Sequence, residues 1–152
     1  MTRNLTHICA CLLMCWPFFG SLSASTVRAH AADGIAHGCS DFLAQMHKKP
    51  AHVRFVKCSY LPEQQGKPMR AMYRVDGRYA LQAEAYLVKA VGMNKLRRSC
   101  CQWDSPTHQF RVRNGREFSI SMVSPESEIA VRGNWRKIPM FEISVETLTE
   151  EI

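Results

Sequence analysis

"MRAMYRVDGRYALQAEAYLVKAVG" (residues 69–92) changes its period in the middle, and that change decides the fold class. Up to Val75 it alternates. Met69, Ala71, Tyr73 and Val75 point one way and Arg70, Met72 and Arg74 the other, the two-residue repeat of a half-buried strand. Asp76-Gly77 is a turn signal. Beyond it Tyr79, Ala83, Tyr86, Leu87 and Ala90 recur at helical spacing, and Gly92 is a natural helix stop. The segment therefore reads as a strand that hands over, through one tight turn, to an amphipathic helix.

Working outward, residues 39–50 ("CSDFLAQMHKKP") predict a short helix with Cys39, Leu43 and Met46 on one face, started by Ser40 or Asp41 and ended by Pro50. Residues 52–60 predict a strand, with Val53 and Phe55 inward; the alternation slips around Val56, Lys57 and Cys58, where a bulge fits. Downstream, residues 96–103 predict another strand and "HQFRVRNGREFSISMV" (residues 108–123) a hairpin. A two-residue Asn114-Gly115 loop would set Val112 opposite Glu117. An odd-length loop centred on Gly115 pairs Val112 with Phe118 and Phe110 with Ile120, and the one-face rule favours it. Residues 124–133 predict a polar connection, and residues 140–146 a last strand with Phe141, Ile143 and Val145 inward. The order α-β-β-α-β-β-β-β predicts an α+β domain, two helices packed on one face of a curled, mostly antiparallel sheet.

The first 31 residues predict a cleaved secretory signal. Arg3 is the only charge before the apolar run at residues 8–20, and the small-residue stretch "SLSASTVRAHAA" follows. Ala29 and Ala31 fit a cleavage site, with Val27–Ala29 as a second option. Residues 32–152 then form a single domain, periplasmic or secreted, with no membrane span. Of seven cysteines, Cys9, Cys11 and Cys15 leave with the signal; Cys39, Cys58, Cys100 and Cys101 remain, and an oxidising compartment makes them a disulfide framework. Neighbours on a strand face opposite sides, so two separate bridges are expected. Cys39 would meet whichever of Cys100 and Cys101 faces the helices, and Cys58 the other. The spacing does not suit zinc, and no cofactor-binding pattern is present.

Charge is unevenly distributed. Residues 48–116 hold 15 basic and 4 acidic groups, while residues 117–152 hold 3 basic and 7 acidic. Arg54, Arg70, Arg74, Arg111 and Arg113 all fall on the polar phase of their strands and so predict a basic outer sheet face. Such a face suits an acidic protein or an anionic envelope component, guanidinium being matched to carboxylate and phosphate; a merely solvated face is the ordinary alternative. Export and the shortage of exposed aromatic residues argue against nucleic acid. No nucleophile–base–orienter set is legible, which favours a non-catalytic binding domain, possible relatives in kind being inhibitors and immunity proteins. The competing reading is a cell-envelope hydrolase using Asp104, His108 and the Glu126/Glu128 loop, or an envelope accessory factor.

The segments "CSDFLAQMHKKPAHVRFVKC", "QQGKPMRAMYRVDGRYALQAEAYL", "GMNKLRRSCCQWDS", "FSISMVS" and "WRKIPMFEISVETLTEEI" resemble a bacterial domain family of unknown function, DUF4952. The resemblance runs from about Cys39 to Ile152. Its most specific pieces are Cys100, Cys101 and Trp103. It implies an exported bacterial domain and assigns no catalytic residue.

Overall fold

Arginines and core residues alternate along β2 (Met69–Asp76) as the sequence predicts: Met69, Ala71, Tyr73 and Val75 are buried, and the residues between them face away. The structure is a computed structural model that describes residues 38–150; the signal expected at residues 1–31 lies outside them. A one-turn helix, α1 (Phe42–Gln45), precedes β1 (Arg54–Tyr60) and β2. Helix α2 (Gly77–Val91) follows directly, then β3 (Arg97–Ser99), β4 (Gln102–Asp104), β5 (His108–Arg111), β6 (Glu117–Val123), a 3-10 helix (Arg132–Lys137) and β7 (Met140–Thr147). The class is α+β. Seven strands form one open sheet in the order β1-β2-β7-β6-β4-β3, with β5 also on β6, and every pairing is antiparallel.

The last strand sits in the middle. β7 pairs with β2 over eight positions and with β6 on its other side. Its inward residues Phe141, Ile143 and Val145 are fully buried and form the sheet's half of the core. The other half comes from Phe42 and Leu43 of α1, Ala80, Ala83 and Leu87 of α2, and Trp135 and Ile138 at the 3-10 helix.

Local chemistry sets the element ends. Asp41 caps α1 by accepting from the Ala44 amide at 3.0 Å. α2 ends at Gly92 (φ 77°), whose left-handed backbone turns the chain so that the Met93 amide reaches back to the Leu87 carbonyl at 3.4 Å. Gly77 is required by close approach: a Cβ there would lie 2.0 Å from the Ile138 carbonyl oxygen and 2.2 Å from that of Trp135. That contact seats the start of α2 on the 3-10 helix.

The structure differs from the expectations in five places. Helix α1 is a single turn and ends before Pro50, because His47 takes a left-handed conformation (φ 55°). Strand β1 carries the bulge between Phe55 and Lys57, but Phe55 is half in solvent while Val53 is buried. The inward stripe of α2 is Ala80, Ala83, Glu84, Leu87 and Val91; Tyr86 is exposed. The hairpin pairs Phe110 with Phe118 and Arg111 with Glu117, a register shifted by two residues that centres the loop on Asn114 instead of Gly115 and leaves the same faces inward. The loop closes through the Val112 amide on the Arg116 carbonyl and the Gly115 amide on that of Val112. Residues 96–103 are two short strands, β3 and β4, joined by a turn at Cys100-Cys101, where Cys100 has φ 48°.

Candidate functional site

All of the helical cover lies on one side of the sheet, so the opposite face is open. Strand alternation decides what stands on it: Arg54, Lys57 and Ser59 from β1, Arg70, Met72 and Arg74 from β2, Glu142, Ser144 and Glu146 from β7, Glu117, Ser119 and Ser121 from β6, and Gln109 and Arg111 from β5. Four of the five predicted arginines therefore share one surface. Arg113 does not: β5 ends at Arg111, and Arg113 lies in the exposed turn beyond it.

The register pairs these arginines with acids. Arg74 lies directly across from Glu142, Arg70 from Glu146 and Arg111 from Glu117. Arg70 Nε donates to Glu146 Oε2 at 2.6 Å, and Arg74 donates through Nη2 and Nε to Glu142 Oε1 at 3.0 and 3.1 Å. Arg111 Nε donates to Glu117 Oε1 at 3.0 Å, and Arg54 approaches Asp76 at 3.5 Å. Cross-strand pairs of this kind fix register, and exposed ones contribute about 0–1 kcal/mol each to stability.

The pairing does not cancel the face. In three of the four pairs the arginine side chain is clearly more exposed than its acid, as in Arg54–Asp76 (72% against 43%), Arg74–Glu142 and Arg70–Glu146, while Arg111 and Glu117 are about equally exposed. Along β2 and β7 the acids are the more deeply seated members of the ladder. Lys57 adds an exposed cation on the same face.

Between the Arg70–Glu146 pair and β6 is an open depression of about 460 Å³ bordered by Met72, Thr107, Ser119, Ser121 and Ser144. A second, of about 860 Å³, shares Ser119 and Glu146 and continues past Arg111 to Thr149 and Glu150. The hydroxyls can hydrogen-bond a polar partner. No histidine borders either depression.

Among the described residues no hydrogen bond or ion pair joins Asp104 to His108 or to the Glu126/Glu128 loop, and no group of three or more His, Cys, Asp or Glu side chains could hold a metal ion. His108 packs against Gly92, where a Cβ would meet its Nε2 at 2.8 Å.

The cysteines depart from the expected pairing. Cys39 is bonded to Cys58, with Cα atoms 5.5 Å apart, so neither reaches the β3–β4 hairpin. α1 and the end of β1 both flank Tyr73 and Ala71 of β2, which brings these two cysteines together. Cys100 and Cys101 sit at the exposed tip of the hairpin with their Sγ atoms 2.9 Å apart. The expectation of opposite faces fails because the two residues form a turn rather than a continuous strand.

One buried pair had no sequence signal. Glu84 on α2 accepts from the Leu96 amide at 2.7 Å and from Arg132 Nη1 at 2.6 Å and Nη2 at 3.1 Å. The Arg132 guanidinium lies 4.7 Å from the Trp135 ring centre and 5.5 Å from that of Trp103. It ties α2, the 3-10 helix and β4 together.

The fold and site define a small α+β domain, stapled by the Cys39–Cys58 disulfide, with an uncovered, charged sheet face. The chain belongs to the domain of unknown function family DUF4952, whose model matches residues 27–103. The match ends at Trp103, so β6 and β7, which supply Glu117, Glu142 and Glu146, lie beyond it, while Asp76 of β2 lies within it. No curated protein and no solved structure matches the chain. Among the described residues no helix is long and apolar enough to cross a membrane.

Proposed function

We propose that the protein is an exported, non-catalytic binding domain that docks an acidic protein surface on its open sheet face. The observation that carries this reading is the row of ion pairs on the open face, in three of which, Arg54–Asp76, Arg70–Glu146 and Arg74–Glu142, the arginine side chain is clearly more exposed than its acid. A guanidinium has five donors in a planar fork, and one carboxylate occupies only part of it. The outer edge remains available for a second, incoming carboxylate, while the rooted acid holds the side chain in place and lowers the entropy lost on binding. The hydroxyl-lined depression between the pairs supplies neutral hydrogen-bonding positions. Periplasmic or secreted placement is supported by the signal pattern at residues 1–31 and by the Cys39–Cys58 bond.

Poly-L-glutamate is a suitable probe of this face. At low ionic strength the wild-type chain is expected to bind it, and replacing Arg54, Arg74 and Arg111 together by Gln should weaken binding by about tenfold, equivalent to about 1.4 kcal/mol. Replacing Arg78, Arg136 and Lys137 by Gln removes the same charge from α2 and the 3-10 helix and should change binding far less. Equal weakening by both triple variants would leave only net charge, and the docking reading would fail.

A further inference from the structure

We infer that Cys100 and Cys101 close on each other as a vicinal disulfide, a reversible redox site at the exposed tip of the β3–β4 hairpin. The Cys39–Cys58 bond removes both cysteines that could otherwise bridge to the hairpin. The two remaining thiols have no other cysteine among the described residues. Their sulfurs stand 2.9 Å apart, closer than two non-bonded sulfurs normally pack. The geometry has a local cause. Ser99 and Gln102 are the last paired positions of the hairpin, so Cys100 and Cys101 are its two-residue loop. Cys100 takes φ 48°, which turns its side chain toward its neighbour instead of to the opposite face.

The tip is held from below. The Ser127 amide donates to the Cys101 carbonyl at 2.7 Å, and Arg98 of β3 donates to the Ser127 carbonyl at 2.5 Å and to that of Ile129 at 3.1 Å. The backbone on both sides of the pair is therefore fixed, and closing the ring orders nothing further. A ring between adjacent residues removes almost no chain entropy from the unfolded state, so this bond does not serve stability. Its exposure places it with the labile class of disulfides, in contrast to the buried Cys39. In the reduced form, hydrogen bonding with Cys100 holds the Cys101 thiol above its ordinary pKa, aided by partial burial and the Glu126 charge. Cys100 is the more exposed of the two, so it is the sulfur that an incoming disulfide reaches first.

The exchange balances with any small disulfide as oxidant. The Cys100 thiolate attacks one sulfur of oxidised glutathione, forming a mixed disulfide and releasing one glutathione thiolate. Cys101, losing its proton, attacks the Cys100 sulfur and expels the second glutathione. The pair loses two electrons and two protons, and one glutathione disulfide becomes two thiols.

The test is to equilibrate the folded protein, its Cys39–Cys58 bond intact, in glutathione redox buffers. It is then quenched with an alkylating agent and the cysteine peptides are mapped by mass. The expected result in oxidised buffer is a peptide around Cys100-Cys101 two hydrogens lighter than the dithiol, unalkylated and free of glutathione. More reducing buffer should open this ring before the Cys39–Cys58 bond. Cys101→Ser should instead retain one glutathione on Cys100, and should acquire it faster than Cys100→Ser acquires one on Cys101. A wild-type peptide that stays a dithiol in oxidised buffer, keeps glutathione, or is linked to Cys39 or Cys58 would overturn the inference.

Discussion

Replacing Arg132 by Ala should destabilise the domain by about 3 kcal/mol. The partner it leaves behind, Glu84, has a side chain only 6% exposed, and breaking a buried pair from one side costs about 3–5 kcal/mol because the remaining charge is stranded. Two features move the figure in opposite directions. The Arg132 side chain is 35% exposed, so water can partly replace it and the low end applies. Its stacking on Trp135 and Trp103 adds about 0.5–1 kcal/mol for each contact. Glu84→Gln alone should cost less, about 1–2 kcal/mol, because its amide oxygen still accepts from Leu96 and the guanidinium left over can reach solvent. The distinguishing result is the double variant. Once Arg132 is gone, Glu84→Gln removes the stranded charge and should raise stability instead of lowering it. Urea unfolding at neutral pH with the disulfide intact measures all four corners of this cycle. An Arg132→Ala variant within about 0.5 kcal/mol of wild type, or a double variant less stable than Arg132→Ala, would refute the reasoning.

Other expectations concern the core and the staple. Gly77→Ala should lower stability by about 2 kcal/mol or more in the same assay, since the new methyl meets backbone carbonyls that cannot rotate away. Cys39→Ser paired with Cys58→Ser should cost about 3 kcal/mol, the chain-entropy value for a bridge spanning 19 residues. Tyr73 is buried, its hydroxyl oxygen accepts the Leu43 amide at 3.0 Å, and burial pushes its pKa well above the ordinary 10.0. Its neutral form is thus the folded form: the contribution is complete below pH 10 and is lost as pH rises beyond it. Absorbance titration should show one tyrosine that ionises only with alkaline unfolding, and Tyr73→Phe should delete that step while costing about 1–2 kcal/mol for the unsatisfied Leu43 amide.

Much of the architecture is legible from alternation alone. Residues 69–92 divide at Gly77 as their period predicts, and the inward residues of β7 are the expected ones, because each depends on local pattern facing one core. The arginine face is legible for the same reason. Its acid ladder carried a signal too: Glu142 and Glu146 alternate with Phe141, Ile143 and Val145, which puts them outward on the strand that turns out to lie beside β2. The Cys100-Cys101 turn was not readable, since nothing in its composition announces a left-handed cysteine and the flanking residues suit a continuous strand. Glu84 is absent from the expected inward stripe of the helix, because its partner, Arg132, lies 48 residues away in the stretch expected to be a polar connection. Both misses come from interactions between segments distant in sequence or from backbone freedom that side-chain patterns do not encode.

The most direct measurement of the docking reading is an amide chemical-shift map of the isotope-labelled domain titrated with poly-L-glutamate. Shifts concentrated on β1, β2, β5 and β7, around Arg54, Arg70, Arg74 and Arg111, are predicted. Shifts concentrated instead on α2 and the 3-10 helix, or spread evenly over every exposed cation, would contradict it.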